Sequence, residues 1–287
     1  MTSQVAAPSW NPFDPDFLTD PYPHYERLRD EDPVHRTPMG ILIVSRYEDV
    51  NQILRDPATS VQRFETSELT PEHIPPLRYR QMEPVPSSLG LDPPDHTLLL
   101  TLLQRTFTPR PINRFREQHT AIVEDLLDEL SGRDEIDLIA DYAFVVPFAV
   151  INAMLGLPSA DVAQVRAWSH ALTQTLEPYL TPEQVTAALE AGEHMDRYLR
   201  DAIAAKRREP ASDLLTELVL AEEEGDRMSE AELLSMTSLL FVAGHETTVN
   251  LIGNGTHALL RHPEQLELVR TDESVDDTIA DELLRYD

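Results

Sequence analysis

The chain has no cysteine among its 287 residues. That excludes disulfides, thiolate nucleophiles and thiolate metal ligands drawn from within this sequence. Basic residues are scarce: 23 Lys plus Arg stand against 51 Asp plus Glu, for a formal charge of -28. Nucleic acid and anionic membrane surfaces both need a basic footprint, so neither is expected as a partner. The opening segment up to Pro12 is polar and holds proline, with no apolar leader. No unbroken run of about 18 apolar residues occurs, so no membrane-crossing helix is expected. Internal repeats and low-complexity tracts are also missing. What is present is a 41% hydrophobic content, enough for a sizeable core. The length suits one large domain or two ordinary ones. An acidic, soluble, cytoplasmic protein is the expectation.

The chain reads as mainly α with a small β-sheet region. Asn11-Pro12-Phe13-Asp14-Pro15 and Asp20-Pro21-Tyr22-Pro23 are turn and helix-start signals, and a short helix follows through Leu28. Val34 to Thr37 and Ile41 to Val44 flank Pro38-Met39-Gly40 as a hairpin. Tyr47 to Leu54 has helical spacing. Residues 57–91 are proline-rich and aperiodic, either a functional loop or a disordered excursion. From Asp92, a potential N-cap, the pattern is almost wholly helical. Helices are expected to start at 92, to span 111–130 and 142–155, and to cover 159–176, 182–208 and 213–222. Two more are expected at 263–270 and 274–286. The exception is a brief strand over 135–139.

The longest predicted helix, about 229–260, would run roughly 45–50 Å. Ser229 and Glu232 form a capping box at its start. It is apolar nearly all round, so it is expected to be buried. At its centre lies a polar knot, Ala243-Gly244-His245-Glu246-Thr247-Thr248. A zinc-protease reading fails because it needs a second histidine four residues after His245, and Val249 stands there. Gly244 leaves room for a flat ligand, Thr247 can bond a helix carbonyl, and Glu246 can relay protons. The plain alternative is a buried kink whose polar groups satisfy one another. Glu282 and Arg285, three apart on one helix face, are by themselves an ordinary surface pair. His96, in Asp92-Pro93-Pro94-Asp95-His96-Thr97, is by itself an ordinary surface histidine.

In this order and at these separations the three motifs resemble the cytochrome P450 family in its soluble bacterial form, over about residues 11–287. The resemblance implies a P450-like fold forming a single domain over 1–287, with haem b as cofactor. The 229–260 helix would be the distal helix that crosses the haem face where oxygen binds. Ala243 and Gly244 would line the groove over the iron, and Glu246 and Thr247 would be the acid–alcohol pair that handles protons. His96 would pair with a haem propionate. Glu282 and Arg285, on the helix at about 274–286, would match the structural Glu-x-x-Arg motif. The family's activity would be insertion of one oxygen atom into a small apolar organic substrate, with electrons from a ferredoxin or flavoprotein.

Two departures matter. Four residues after the histidine the family commonly places a propionate-binding arginine, and here Leu100 stands there, beside Leu98 and Leu99. The family's thiolate ligand comes from a loop beyond the Glu-x-x-Arg helix, and this sequence carries no cysteine. The chain is therefore expected to be the N-terminal portion of such an enzyme and inactive alone, with no metal ligand of its own. A haem-free P450-like auxiliary protein that activates a partner enzyme is the alternative.

Overall fold

The computed structural model describes residues 10–11, 14–37, 41–61, 88–106, 109–158, 162–177, 180–223 and 228–286. The proline-rich loop over most of its length, the hairpin turn Pro38-Met39-Gly40 and Phe107-Thr108 lie outside them. The chain divides into two compact units, residues 1–77 and 78–287.

The first unit begins with α1 (Pro15–Thr19), capped by the Asp14 carboxylate, which accepts from the Asp16 N–H at 3.0 Å. Phe17 anchors it, ringed edge-on by Trp10, His24 and Tyr25. Helix α2 (Tyr22–Glu31) buries Leu28 completely. Strands β1 (Val34–Arg36) and β2 (Leu42–Val44) pair antiparallel with His35 opposite Ile43, and α3 (Tyr47–Arg55) follows. The paired strands and helices α2 and α3 sit where the turn signals and periodicity put them.

The second unit is helical. A 3-10 turn (Ser88–Gly90) precedes α4 (Asp95–Thr106) and α5 (Pro109–Leu130). Helical backbone is assigned only from Asp95, yet the first ladder bond starts at Asp92 as expected: its carbonyl accepts from the His96 N–H at 3.1 Å. The strand expected over 135–139 is absent: Leu138–Ala143 is a π-helical turn. Asp137 caps it by accepting from the N–H groups of Ile139 and Ala140, and Asp141 accepts from the Asp137 N–H. These local carboxylate bonds outcompete the strand tendency of Ile136 and Ile139. Helix α6 (Val145–Leu155) follows directly and ends at Gly156, left-handed at φ 59°. By length and composition alone Leu138–Leu155 is long and apolar enough to cross a membrane, contrary to expectation. Its Phe144, Phe148, Ile151 and Leu155 belong to the core of this unit.

Next come α7 (Val162–Thr173) with a 3-10 turn (Gln174–Leu176), α8 (Pro182–Arg208) and α9 (Leu214–Glu223). Then α10 (Glu230–Arg261), α11 (Pro263–Thr271), a 3-10 turn (Glu273–Val275) and α12 (Ile279–Tyr286) complete the unit. Helix α10 is the hub, packing on α6, α7, α8, α9, α11, α12 and the π turn. Leu214, Leu215, Leu233, Met236 and Phe241 are fully buried around it. Each such side chain is worth about 1.5–3 kcal/mol on leaving water. Contrary to expectation, α10 is not buried all round: Ala243, Gly244, Thr247 and Asn250 are exposed along one side. Its remaining faces are already taken by neighbouring helices, so the small and polar residues mark the side left open.

Candidate functional site

Helix α10 is fixed at its start by the capping box. Ser229 Oγ accepts from the Glu232 N–H at 3.2 Å, and Glu232 Oε2 accepts from the Ser229 N–H at 2.7 Å. From there the helical repeat distributes the motif among different surroundings. Ala243 and Thr247, one turn apart, are exposed on the open side. His245 points into the core with no exposure at all. Glu246 is half-buried toward α7, its side chain 18% exposed.

The open side meets an apolar groove of about 470 Å³. Leu89, Val150, Ile151, Met154, Leu239 and Leu240 line it together with Ala243 and Gly244. Gly244 is small for a reason the sequence does not display: a Cβ there would stand 2.8 Å from Cδ1 of Ile151 on α6. The glycine lets α6 approach α10 and so shapes one wall of the groove. Thr247 Oγ1 donates to the Ala243 carbonyl at 2.9 Å, the back-bonding open to a mid-helix threonine.

Burial raises the Glu246 carboxyl above its usual range, while His170 and Arg166 on α7 pull it back down. Arg166 also lies over the Phe144 ring, with Cζ 4.9 Å from its centroid. His245 Nδ1 is 2.7 Å from the Phe241 carbonyl oxygen, which can only accept, so Nδ1 carries the proton. Burial lowers the His245 pKa, and the Phe241 hydrogen bond opposes this in part. Nε2 lies 3.6 Å from Glu246 Oε1. The acid is pushed up and the base pushed down, so burial favours the neutral form of each. The arrangement can shelter small apolar guests beside a hydroxyl and hold a proton on a carboxyl one residue away.

Glu282 and Arg285 form a bidentate pair on α12, Nε to Oε2 and Nη2 to Oε1 both at 2.7 Å. That pairing lowers the Glu282 pKa and raises that of Arg285. Both side chains are solvated, while Leu283 between them packs on Gly255 of α10. His96 is half-buried in the first turn of α4, its N–H donating to the Asp92 carbonyl at 3.1 Å. Four residues on, Leu100 is exposed while Leu99 is buried. The structure thus brings Ala243, Gly244, Glu246 and Thr247 together on α10 and places His96 and the Glu282–Arg285 pair on other helices. Sequence reasoning missed Ile151, Arg166 and His170. The last two stand four apart on α7, a spacing that shows a shared face without showing what it faces.

The family model "Cytochrome P450" matches residues 34–282. Among curated proteins, Cytochrome P450 107B1 of Saccharopolyspora erythraea is 40% identical over 282 residues, covering 96% of this chain and 68% of that protein. Vitamin D(3) 25-hydroxylase of Pseudonocardia autotrophica is 39% identical over 277 residues, covering 94% of this chain and 65% of that protein. Among solved structures, a myxobacterial cytochrome P450 in complex with myristic acid superimposes with a TM-score of 0.83 at 37% identity, covering 95% of this chain and 68% of that one. The chain therefore spans about two thirds of the length of these relatives.

Proposed function

This chain belongs to the cytochrome P450 family, and from that premise we propose that it carries the distal half of a haem-thiolate monooxygenase site. Haem b is the family's cofactor. The residues present fit one face of it. Ala243 and Gly244 open an apolar groove on α10 with no bulky side chain between them. The donor set for the opposite face is not among these 287 residues, which include no cysteine. Leu100 offers no cation for a propionate; His96, in the first turn of α4, would take that role by the family's pattern. When bound, haem supplies the oxygen chemistry.

The chain's own residues do the rest. Ala243 and Gly244 keep the groove open. Leu239, Leu240, Val150 and Met154 hold an apolar organic substrate and exclude water. The Thr247 hydroxyl lies one turn beyond Ala243 on the open side of α10 and can turn outward from the Ala243 carbonyl to donate. Glu246 carries a proton inward from the α7 side, where Arg166 and His170 meet it. Glu282 and Arg285 brace α12. That a solved relative holds myristic acid supports an apolar, chain-like substrate. A ferredoxin or flavoprotein would deliver electrons, and the acidic, cysteine-free composition supports a cytoplasmic setting.

The observation that carries this reading is the sorting of the motif: Thr247 on the open face, Glu246 toward α7. Fusion of the chain to the cysteine-bearing C-terminal segment of a relative tests it. The fusion binds haem and oxidises an apolar substrate, while Thr247→Ala consumes reductant but loses about tenfold or more of product. Equal product from the variant overturns the assignment. The unfused chain reconstituted with haem gives no thiolate-type carbon monoxide difference band, and a clear band refutes that expectation.

Leu98 and Leu100, exposed on α4 where the family commonly has basic residues, favour the second reading: a haem-free auxiliary protein that activates a partner enzyme. Failure of the fusion to bind haem, with the fold intact, supports it.

A further inference from the structure

The groove and the acid–alcohol pair leave one member of the motif without a task. His245 is completely buried, yet its Nε2 has no hydrogen-bond partner. An unpaired buried ring nitrogen costs stability. The ring is not free to turn away from that state. Phe144 and Phe148 meet it edge-on, with centroids at 5.6 and 6.1 Å, and Phe241 is tilted against it at 5.2 Å. The Nδ1–H is committed to the Phe241 carbonyl. The neutral ring therefore presents a lone pair at Nε2, aimed at Glu246 Oε1, 3.6 Å away. A hydrogen bond there needs about 2.7–3.0 Å, within reach of a small side-chain rotation of Glu246.

We propose that His245 is a positioning residue for Glu246: Nε2 accepts the hydrogen of the protonated carboxyl when it turns inward, while Arg166 and His170 hold the ionised carboxylate when it turns outward. Among the described residues, the ring contacts of His245 are all with phenylalanines. The π turn and α6 present Phe144 and Phe148 there. Tyr198 of α8 reaches Phe241, but its hydroxyl donates to the Pro158 carbonyl at 2.8 Å. The importance of the contact for turnover rests on the proposed role of Glu246 in proton delivery; the contact itself rests on geometry alone.

The test reads the carboxyl directly and needs no haem. The full chain is labelled with ¹³C at glutamate carboxyls, and Glu246→Gln identifies the resonance. His245→Phe fills the same aromatic cage without an acceptor. Loss of the bond to the neutral acid lowers the midpoint pH of Glu246 by about 0.5 or more. His245→Gln, whose amide oxygen accepts, restores most of the difference. An unchanged midpoint in the phenylalanine variant overturns the proposal and leaves His245 as packing. Should that variant fail to fold, ¹⁵N resonances of His245 in the unmodified chain decide. A protonated Nδ1, with an Nε2 signal that moves at the Glu246 midpoint, upholds the contact. A proton on Nε2, or a signal that ignores Glu246, overturns it. If the contact holds while Glu246→Gln leaves turnover of the fused enzyme unchanged, the proton-delivery reading fails and the positioning role stands.

Discussion

Glu246 and His245 are adjacent in the chain and displaced in opposite directions from their ordinary titration, both by burial. Each leaves its own mark on stability. Glu246 titrates higher in the folded chain than the ordinary 4.5, so the unfolded state gives up its proton first as pH rises. Its contribution is fully present below 4.5 and lost as pH climbs through the folded value. Glu246→Gln should therefore raise the urea midpoint at pH 7, with the gain vanishing toward pH 4.5. A variant no more stable than the parent at pH 7 contradicts this. His245 behaves in the opposite sense: its stability is intact above 6.5 and declines as pH falls below that value. Gly156 is a different kind of residue-scale case. It sits at φ 59°, and a Cβ there would run into the carboxylate of Asp213, which is paired with Lys206 in the interior. The left-handed backbone alone costs an alanine about 1–2 kcal/mol, and the clash adds to it, so Gly156→Ala should lower stability by about 2–4 kcal/mol in urea titrations. The helix-stopping role of Gly156, just ahead of Pro158, was legible in the sequence because it is local. The task of Gly244 was not. Its partner Ile151 stands 93 positions earlier, and no local pattern announces that contact.

Among the elements, α10 shows most directly what chain-local chemistry can specify. Its start at Ser229 and Glu232 could be read from the spacing alone, because both hydrogen bonds close within four residues. Ser229→Ala should cost about 1 kcal/mol, measured as a shift in the unfolding midpoint, with the remaining helices unchanged by circular dichroism. Helix α8 starts by the same local chemistry: Thr181 and Gln184 build a second capping box. The π turn was not legible. Ile136, Leu138 and Ile139 look like a short strand, and only the reach of Asp137 forward and of Asp141 back to neighbouring N–H groups decides for the π turn. Arg133, bridged to Glu129 and Asp141, ties that turn to the end of α5. The sidedness of α10 was misjudged for a further reason. Composition reports how apolar a helix is, whereas its open face is decided by which neighbours arrive.

At the scale of the whole molecule the dominant quantity is charge. A formal -28 on 287 residues repels itself in the compact state. Added salt screens that repulsion, so the thermal midpoint should rise from low ionic strength to about 0.15 M, where the screening length is about 8 Å. A flat or falling midpoint would show that locally paired charges such as Glu282–Arg285 already compensate. One small feature shows how such a molecule can choose among guests. Thr247 lends its hydrogen to the carbonyl of Ala243 on the open side of α10. The two oxygens therefore act as a latch. Whatever draws the hydroxyl outward also bares a lone pair on the carbonyl beside it. A guest carrying a donor next to an acceptor answers both. A guest with an acceptor alone answers one and strands the other. On that open side of α10, fit is graded by how polar atoms are paired within the visitor.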